Sequence, residues 1–162
     1  MITYTELVGS TAPREPERVS GIPSRLFVRL ARALKIVLAA DGDVNGAELN
    51  AYLETCRRFG APDGLLDELR RFDPTTSSLE ECFDGMDADS IPARSLLYDA
   101  IRIAKADGSY DRSERAAVTR AATLLGLEEE WVEKITALVD AEEALSRLRV
   151  ALLLPPGLRA FV

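Results

Sequence analysis

The chain has 162 residues, 47% of them apolar and 29% charged, which is long enough to bury a sizeable interior and too apolar for general disorder. Its formal charge of −7, from 27 acidic against 20 basic side chains, argues against a nucleic-acid backbone as the main partner, because such a partner wants a concentrated basic face. There is no histidine, which removes histidine catalysis and the usual zinc triads, and the two cysteines, Cys56 and Cys82, form neither a CxxC pair nor a secreted disulfide framework.

Residues 1–21 carry Gly9, Ser10, Thr11, Pro13, Pro16 and Gly21 without a sustained period, the pattern of an N-terminal arm. The first twenty residues hold no apolar run of signal-peptide length, and no stretch approaches the roughly eighteen apolar residues of a spanning helix. A cytoplasmic protein that is not integral to a membrane is therefore expected.

From Ile22 and Pro23 onward, apolar residues recur at Leu26, Phe27, Leu30, Leu34, Val37 and Leu38, the stripe of an amphipathic helix that stops at Asp41-Gly42. A second helix runs from about Gly46 to Phe59 and ends at Gly60, and Pro62 opens a third over 65–72. Turn chemistry at 73–78 precedes a short helix over 79–83 and marks the joint between halves. Ile91-Pro92 then restarts the programme. A helix runs to Ala106, a break falls at Asp107-Gly108, a helix spans 112–125, and a long helix spans 128–153 before Pro155-Pro156. No segment of useful length alternates as a strand would, so no sheet is expected.

The expectation is thus an all-α, single-domain bundle of about seven helices. Its helical domain covers 22–154, with halves at about 22–72 and 91–150, and a C-terminal tail covers 155–162. The halves read as copies. A shift of 66 residues places Ala40-Asp41-Gly42 on Ala106-Asp107-Gly108, Glu48 on Glu114, Ala51 on Ala117 and Gly60 on Gly126.

Each half carries one acidic corner, residues 40–48 and 106–114. Gly42 and Gly108 can end a helix in the left-handed conformation, while Asn45 with Glu48, and Asp111 with Glu114, have the spacing of capping boxes. Val44 and Tyr110 sit where a hydrophobic staple would. Capping leaves Asp41 and Asp107 unexplained, since each puts a negative charge at the carbonyl end of a helix, unfavourable by roughly 0.3 to 1 kcal/mol. A hard cation would relieve it with oxygen ligands, calcium or magnesium being the most suitable. The spacing matches the second half of an EF-hand loop, but Val37, Ala39, Ile103 and Lys105 stand where the first ligands should be. Any site would therefore draw ligands from elsewhere, most simply from both corners brought together. Pure turn-and-cap chemistry and a shared divalent site both remain open.

The pair of Ala-Asp-Gly corners, each followed by a cap and a glutamate, on an acidic, histidine-free helical repeat, resembles the TerB (tellurite-resistance B) family over roughly residues 22–150. The resemblance implies an all-α bundle, a cytoplasmic location and a non-enzymatic role in chemical-stress resistance beside other stress-response proteins, some membrane-associated. It also implies divalent-metal binding, with Asp41, Asp43, Glu48, Asp107, Asp111 and Glu114 as ligands. Ser109 in place of Asp43, and Asn45 in place of Asp111, make the two copies unequal.

The alternative is a helical interaction module whose corners are purely structural. Its contacts would use Arg25, Arg29, Arg32 and Lys35 on the first helix, although a solvated face pairing with the acidic body is the simpler reading. They could also use the apolar residues 150–154, which would dock on a partner or a second protomer unless they fold back on the bundle. A homodimer is compatible with that tail. Enzyme chemistry has no support: no glycine-rich phosphate loop follows a strand, and no serine or cysteine has a histidine base.

Overall fold

The computed structural model describes residues 18–19, 21–42, 44–86, 93–108 and 110–153. Seven α-helices form the bundle among these residues: α1 (Ser24–Leu38), α2 (Gly46–Arg58), α3 (Asp63–Arg71), α4 (Leu79–Phe83), α5 (Ala93–Ala104), α6 (Arg112–Leu124) and α7 (Glu129–Leu153). Short 3-10 turns at Ala39–Asp41 and Pro74–Thr76 link α1 to α2 and α3 to α4. The all-α expectation holds, with one addition. Arg18–Val19 (β1) and Ile22–Pro23 (β2) pair as a minimal antiparallel ladder across Gly21, whose φ of 80° makes the reversal. Ile22 packs against the core beside α1, so the end of the expected arm is tied down. Residues 1–17, Ile91, Pro92 and the expected tail 155–162 lie outside the described residues.

Helix boundaries follow local chemistry. Pro23 precedes α1, where its missing N–H costs nothing. Ser78 and Glu81 close a capping box that starts the five-residue α4. Gly60 and Gly126, with φ of 88° and 71°, terminate the turns after α2 and α6. The 66-residue shift carries the bounds of α2 onto those of α6, and the last residue of α1 onto the last of α5.

One continuous core joins the halves. α1 packs on α2, α3, α4, α5 and α6, while α5 packs on α1, α2, α6 and α7. Both central helices carry small residues at these contacts, Ala31 and Ala33 on α1 and Ala100 and Ala104 on α5, letting neighbours approach closely around Leu38, Tyr52, Leu69, Leu97 and Ile101. Cys56 and Cys82 are free and buried. Trp131 lies at the rim, with the Arg94 guanidinium 3.5 Å from its ring centre.

Arg25 on the basic row of α1 is exposed as expected, but Lys35 is not part of a solvated face. Lys35 is only 6% exposed and its Nζ donates to the carbonyls of Leu69 (3.0 Å), Arg70 (2.7 Å) and Phe72 (2.7 Å), plugging the carbonyl end of α3. Arg32 pairs with Glu68 at 2.9 Å and lies 5.1 Å from the Phe72 ring centre, and Arg29 donates to the carbonyls of Glu81 and Asp84. Lys35 and Arg29 thus satisfy carbonyls at the ends of α3 and α4 that the helices leave unpaired, while Arg32 pairs with a carboxylate on α3.

Candidate functional site

The two corners are built alike. Gly42, at φ 110°, closes the 3-10 turn that follows α1, and Gly108, at φ 89°, closes the turn after α5. In the first corner Asn45 Oδ1 accepts from the backbone N–H groups of Ala47 (2.9 Å) and Glu48 (3.1 Å), and Glu48 Oε2 accepts from Asn45 N–H (2.9 Å). In the second, Asp111 Oδ1 accepts from Glu114 N–H (2.9 Å) and the Ser113 hydroxyl (2.7 Å), and Glu114 Oε2 accepts from Asp111 N–H (2.8 Å). Both predicted capping boxes are therefore present. Val44 and Tyr110 pack against the core beside them.

Capping does not exhaust either glutamate. Each commits Oε2 to its own helix start, and the two residues, 4% and 2% exposed, act on each other between the halves. A hydrogen bond between Glu48 and Glu114 needs one proton shared between them. Burial pushes Glu48 up to about 7, against the pull of the Asn45 N–H and reinforced by the charges of Glu114 and Asp107. Glu114 is also raised, by burial first and then by the charges of Asp111 and Asp41, while its cap bond and its bond to Glu48 pull it down. Glu114 Oε1 is buried with no hydrogen-bond partner among the described residues.

The exposed aspartates lie on the same junction. Asn45 Nδ2 donates across the interface to Asp107 Oδ2 at 2.8 Å, so Asn45 caps its own helix with one atom and clasps the other corner with the next. Under the 66-residue repeat, the counterpart of this pair is Asp111 with Asp41, two carboxylates that cannot bond each other without a proton or a cation. Asp111 is held below the usual carboxylate range by the N–H of Glu114 and the Ser113 hydroxyl, so it stays ionised.

Of the six sequence-predicted ligands, Asp41, Glu48, Asp107 and Glu114 act on one another across the two corners, and Asp111 flanks Glu114 as its cap. Asp43 lies outside the described residues. Among the described residues, no group of three or more histidine, cysteine, aspartate or glutamate side chains stands in a metal-holding arrangement.

A second buried polar cluster went unnoticed in the sequence. Asp99, 7% exposed, lies 3.6 Å from Arg102 and 4.0 Å from Arg58, and Arg102 donates to the Thr55 hydroxyl at 2.6 Å. It ties α2 to α5. Its one sequence signal is a carboxylate inside the apolar run Leu96, Leu97, Ala100, Ile101.

Fold and junction together define a class: an all-α bundle in which two acidic helix-corner-helix units are clasped by their own capping residues. The profile of the tellurite resistance protein TerB family matches residues 28–137, more than half of the chain, and the chain belongs to that family. It is similar to a solved tellurite resistance protein from Nostoc punctiforme, at a TM-score of 0.69 and 29% identity over 83% of this chain and 84% of that one. No curated protein matches. Among the described residues, no helix is long and apolar enough to cross a membrane.

Proposed function

We propose that this protein is a non-enzymatic, cytoplasmic stress-response protein of tellurite-resistance type whose two corners together bind one divalent cation, calcium or magnesium. The observation that carries the reading is the pair of buried carboxyl groups of Glu48 and Glu114, each capping its own helix with Oε2, with Glu114 Oε1 buried and without a hydrogen-bond partner among the described residues. The donors there are all hard oxygens, which suit these ions and no soft metal. Asp41, Glu48, Asp107 and Glu114 would hold the ion, with Asp43 and Asp111 supplying further oxygens. The ion would supply positive charge that lets both glutamates ionise and offsets the aspartates at the helix ends.

The chain's own residues set up that response. The capping boxes fix one oxygen of each glutamate and aim the other at the junction, and Asn45 holds Asp107 in register. A cation shared by both corners would thus favour one arrangement of the halves, which other stress-response proteins, some at the membrane, could read. The test is calorimetric titration of the chelator-stripped protein with calcium, magnesium and zinc, alongside thermal melts of the parent and an Asp41→Asn, Asp107→Asn double variant. Saturable heat and a raised melting temperature, both lost in the variant, are expected. A parent that gives neither with any of the three ions refutes the reading.

A further inference from the structure

Every exposed large hydrophobic residue among the described residues lies on one helix, α7: Leu138, Leu145, Leu148, Leu152 and Leu153, between 50% and 73% exposed. α7 uses Val132, Ile135 and Val139 to pack on the bundle, and no residue beyond Val139 is buried, although the helix continues to Leu153. Leu153, eighteen residues or about five turns after Ile135, falls on the packed side, and the other four leucines lie beside or opposite that face. With Ala141 they recur at 138, 141, 145, 148 and 152, the alternating four- and three-residue spacing of a coiled-coil seam. A stripe of this kind on a helix already anchored along its first half marks an interaction surface.

We infer that the distal half of α7 is a self-association surface on which a second copy of this chain packs antiparallel. The residue sizes fit that register. Setting Leu145 opposite the partner's Leu148 sets Ala141 opposite the partner's Leu152, a small residue against a large one at each end of the seam. The charges fit it too. Glu142 and Arg149 flank the seam on one side, one heptad apart, and in an antiparallel pair Glu142 meets the partner's Arg149 while Arg149 meets the partner's Glu142. Glu142 is already steadied by the Tyr98 hydroxyl, which donates to its Oε2 at 2.6 Å. The other flank carries Ala144 and Ala151, small enough for the helices to approach closely. A parallel pair would instead face Glu142 and Arg149 with alanines and leave both charges unmatched. The surface is distinct from the corners, so pairing should persist in chelator.

The test is sedimentation equilibrium of the full chain in chelator, with circular dichroism to verify that each variant keeps its helices. The parent should show a monomer–dimer equilibrium, and Leu145→Glu with Leu148→Glu should be monomeric at every concentration. Glu142→Arg alone, or Arg149→Glu alone, should weaken dimerisation about tenfold, and the double charge swap should restore it. A parent that stays monomeric into the millimolar range overturns the proposal. If hydrogen exchange then shows the leucine face protected in that monomer, its occupant is the chain's own terminal segment. A dimer indifferent to the charge variants overturns the antiparallel register.

Discussion

Replacing Glu48 by glutamine should remove one group's loss of stability with rising pH. Glu48 is 4% exposed and burial raises it from about 4.5 to about 7, so its folded form holds a proton that the unfolded chain has already released. The sign follows from linkage. Between pH 4.5 and 7 the folded state binds more protons than the unfolded state, so this group's contribution is fully present below 4.5, falls as pH rises, and is gone above 7. A shift of this size corresponds to about 3 kcal/mol of lost stability at pH 8 relative to pH 4. Glutamine keeps both functions without titrating. Its carbonyl can accept from Asn45 N–H, and its amide can donate to Glu114, which then ionises without a like charge opposite.

Glu48→Gln should therefore be close to neutral at pH 4.5 and stabilising by about 3 kcal/mol at pH 8, raising the melting temperature there by roughly 6–12 °C for a domain of this size. The assay is urea unfolding in chelator at half-unit steps from pH 4.5 to 8, plotted as the difference between variant and parent. Taking the difference cancels the repulsion that a net charge of −7 adds to both proteins. A difference that does not change with pH would refute the shared-proton account. So would a variant less stable than its parent at pH 8.

Three further perturbations probe other parts of the fold. Lys35→Met removes the cation from the carbonyls of Leu69, Arg70 and Phe72 and should cost about 2–4 kcal/mol in urea unfolding; an unchanged midpoint would mean that water satisfies those carbonyls. Asn45→Ala should destabilise more than Asp111→Ala, by about 1 kcal/mol in chelator melts, because both lose a helix cap but only Asn45 also clasps the opposite corner. Burial pushes the Cys56 thiol up to about 12, so its labelling by a thiol reagent at pH 8 should be limited by opening of the fold and accelerate steeply in urea, whereas labelling at the rate of a free thiol would contradict its burial.

The helices were legible where stop and start signals are local. α4 falls on Leu79–Phe83, the span expected after the turn chemistry at 73–78, and α2 and α6 end beside the glycines that predicted their ends. Both capping boxes were legible for the same reason, since each joins residues three apart. What the chain hides is partnership across long separations. Asn45 and Asp107 lie 62 positions apart, and nothing in either residue names the other. Lys35 was misread as solvated because only its spacing is visible in the sequence. Its flexible stem crosses the apolar layer to a helix end 34 to 37 residues away, a target that exists only once α3 has formed and packed. The corner glutamates show the same limit from the other side: the cap that explains one oxygen says nothing of where the second points.

The junction offers two ways to relieve one repulsion, and that makes them competitors. A proton between Glu48 and Glu114 satisfies the buried pair at low pH, whereas a divalent cation at the proposed site requires both carboxylates ionised. Binding at pH 6, below the raised value of about 7, must therefore expel a proton, while binding at pH 8.5 need not. Calcium affinity should fall as pH drops from 8.5 to 6, and calorimetry at pH 6 in two buffers of different ionisation enthalpy should give different apparent heats, with the difference reporting close to one proton released. In Glu48→Gln the heats should agree between buffers, because the shared proton is gone. Binding that releases no proton from the parent at pH 6 would place the cation elsewhere on the protein and return these glutamates to capping alone.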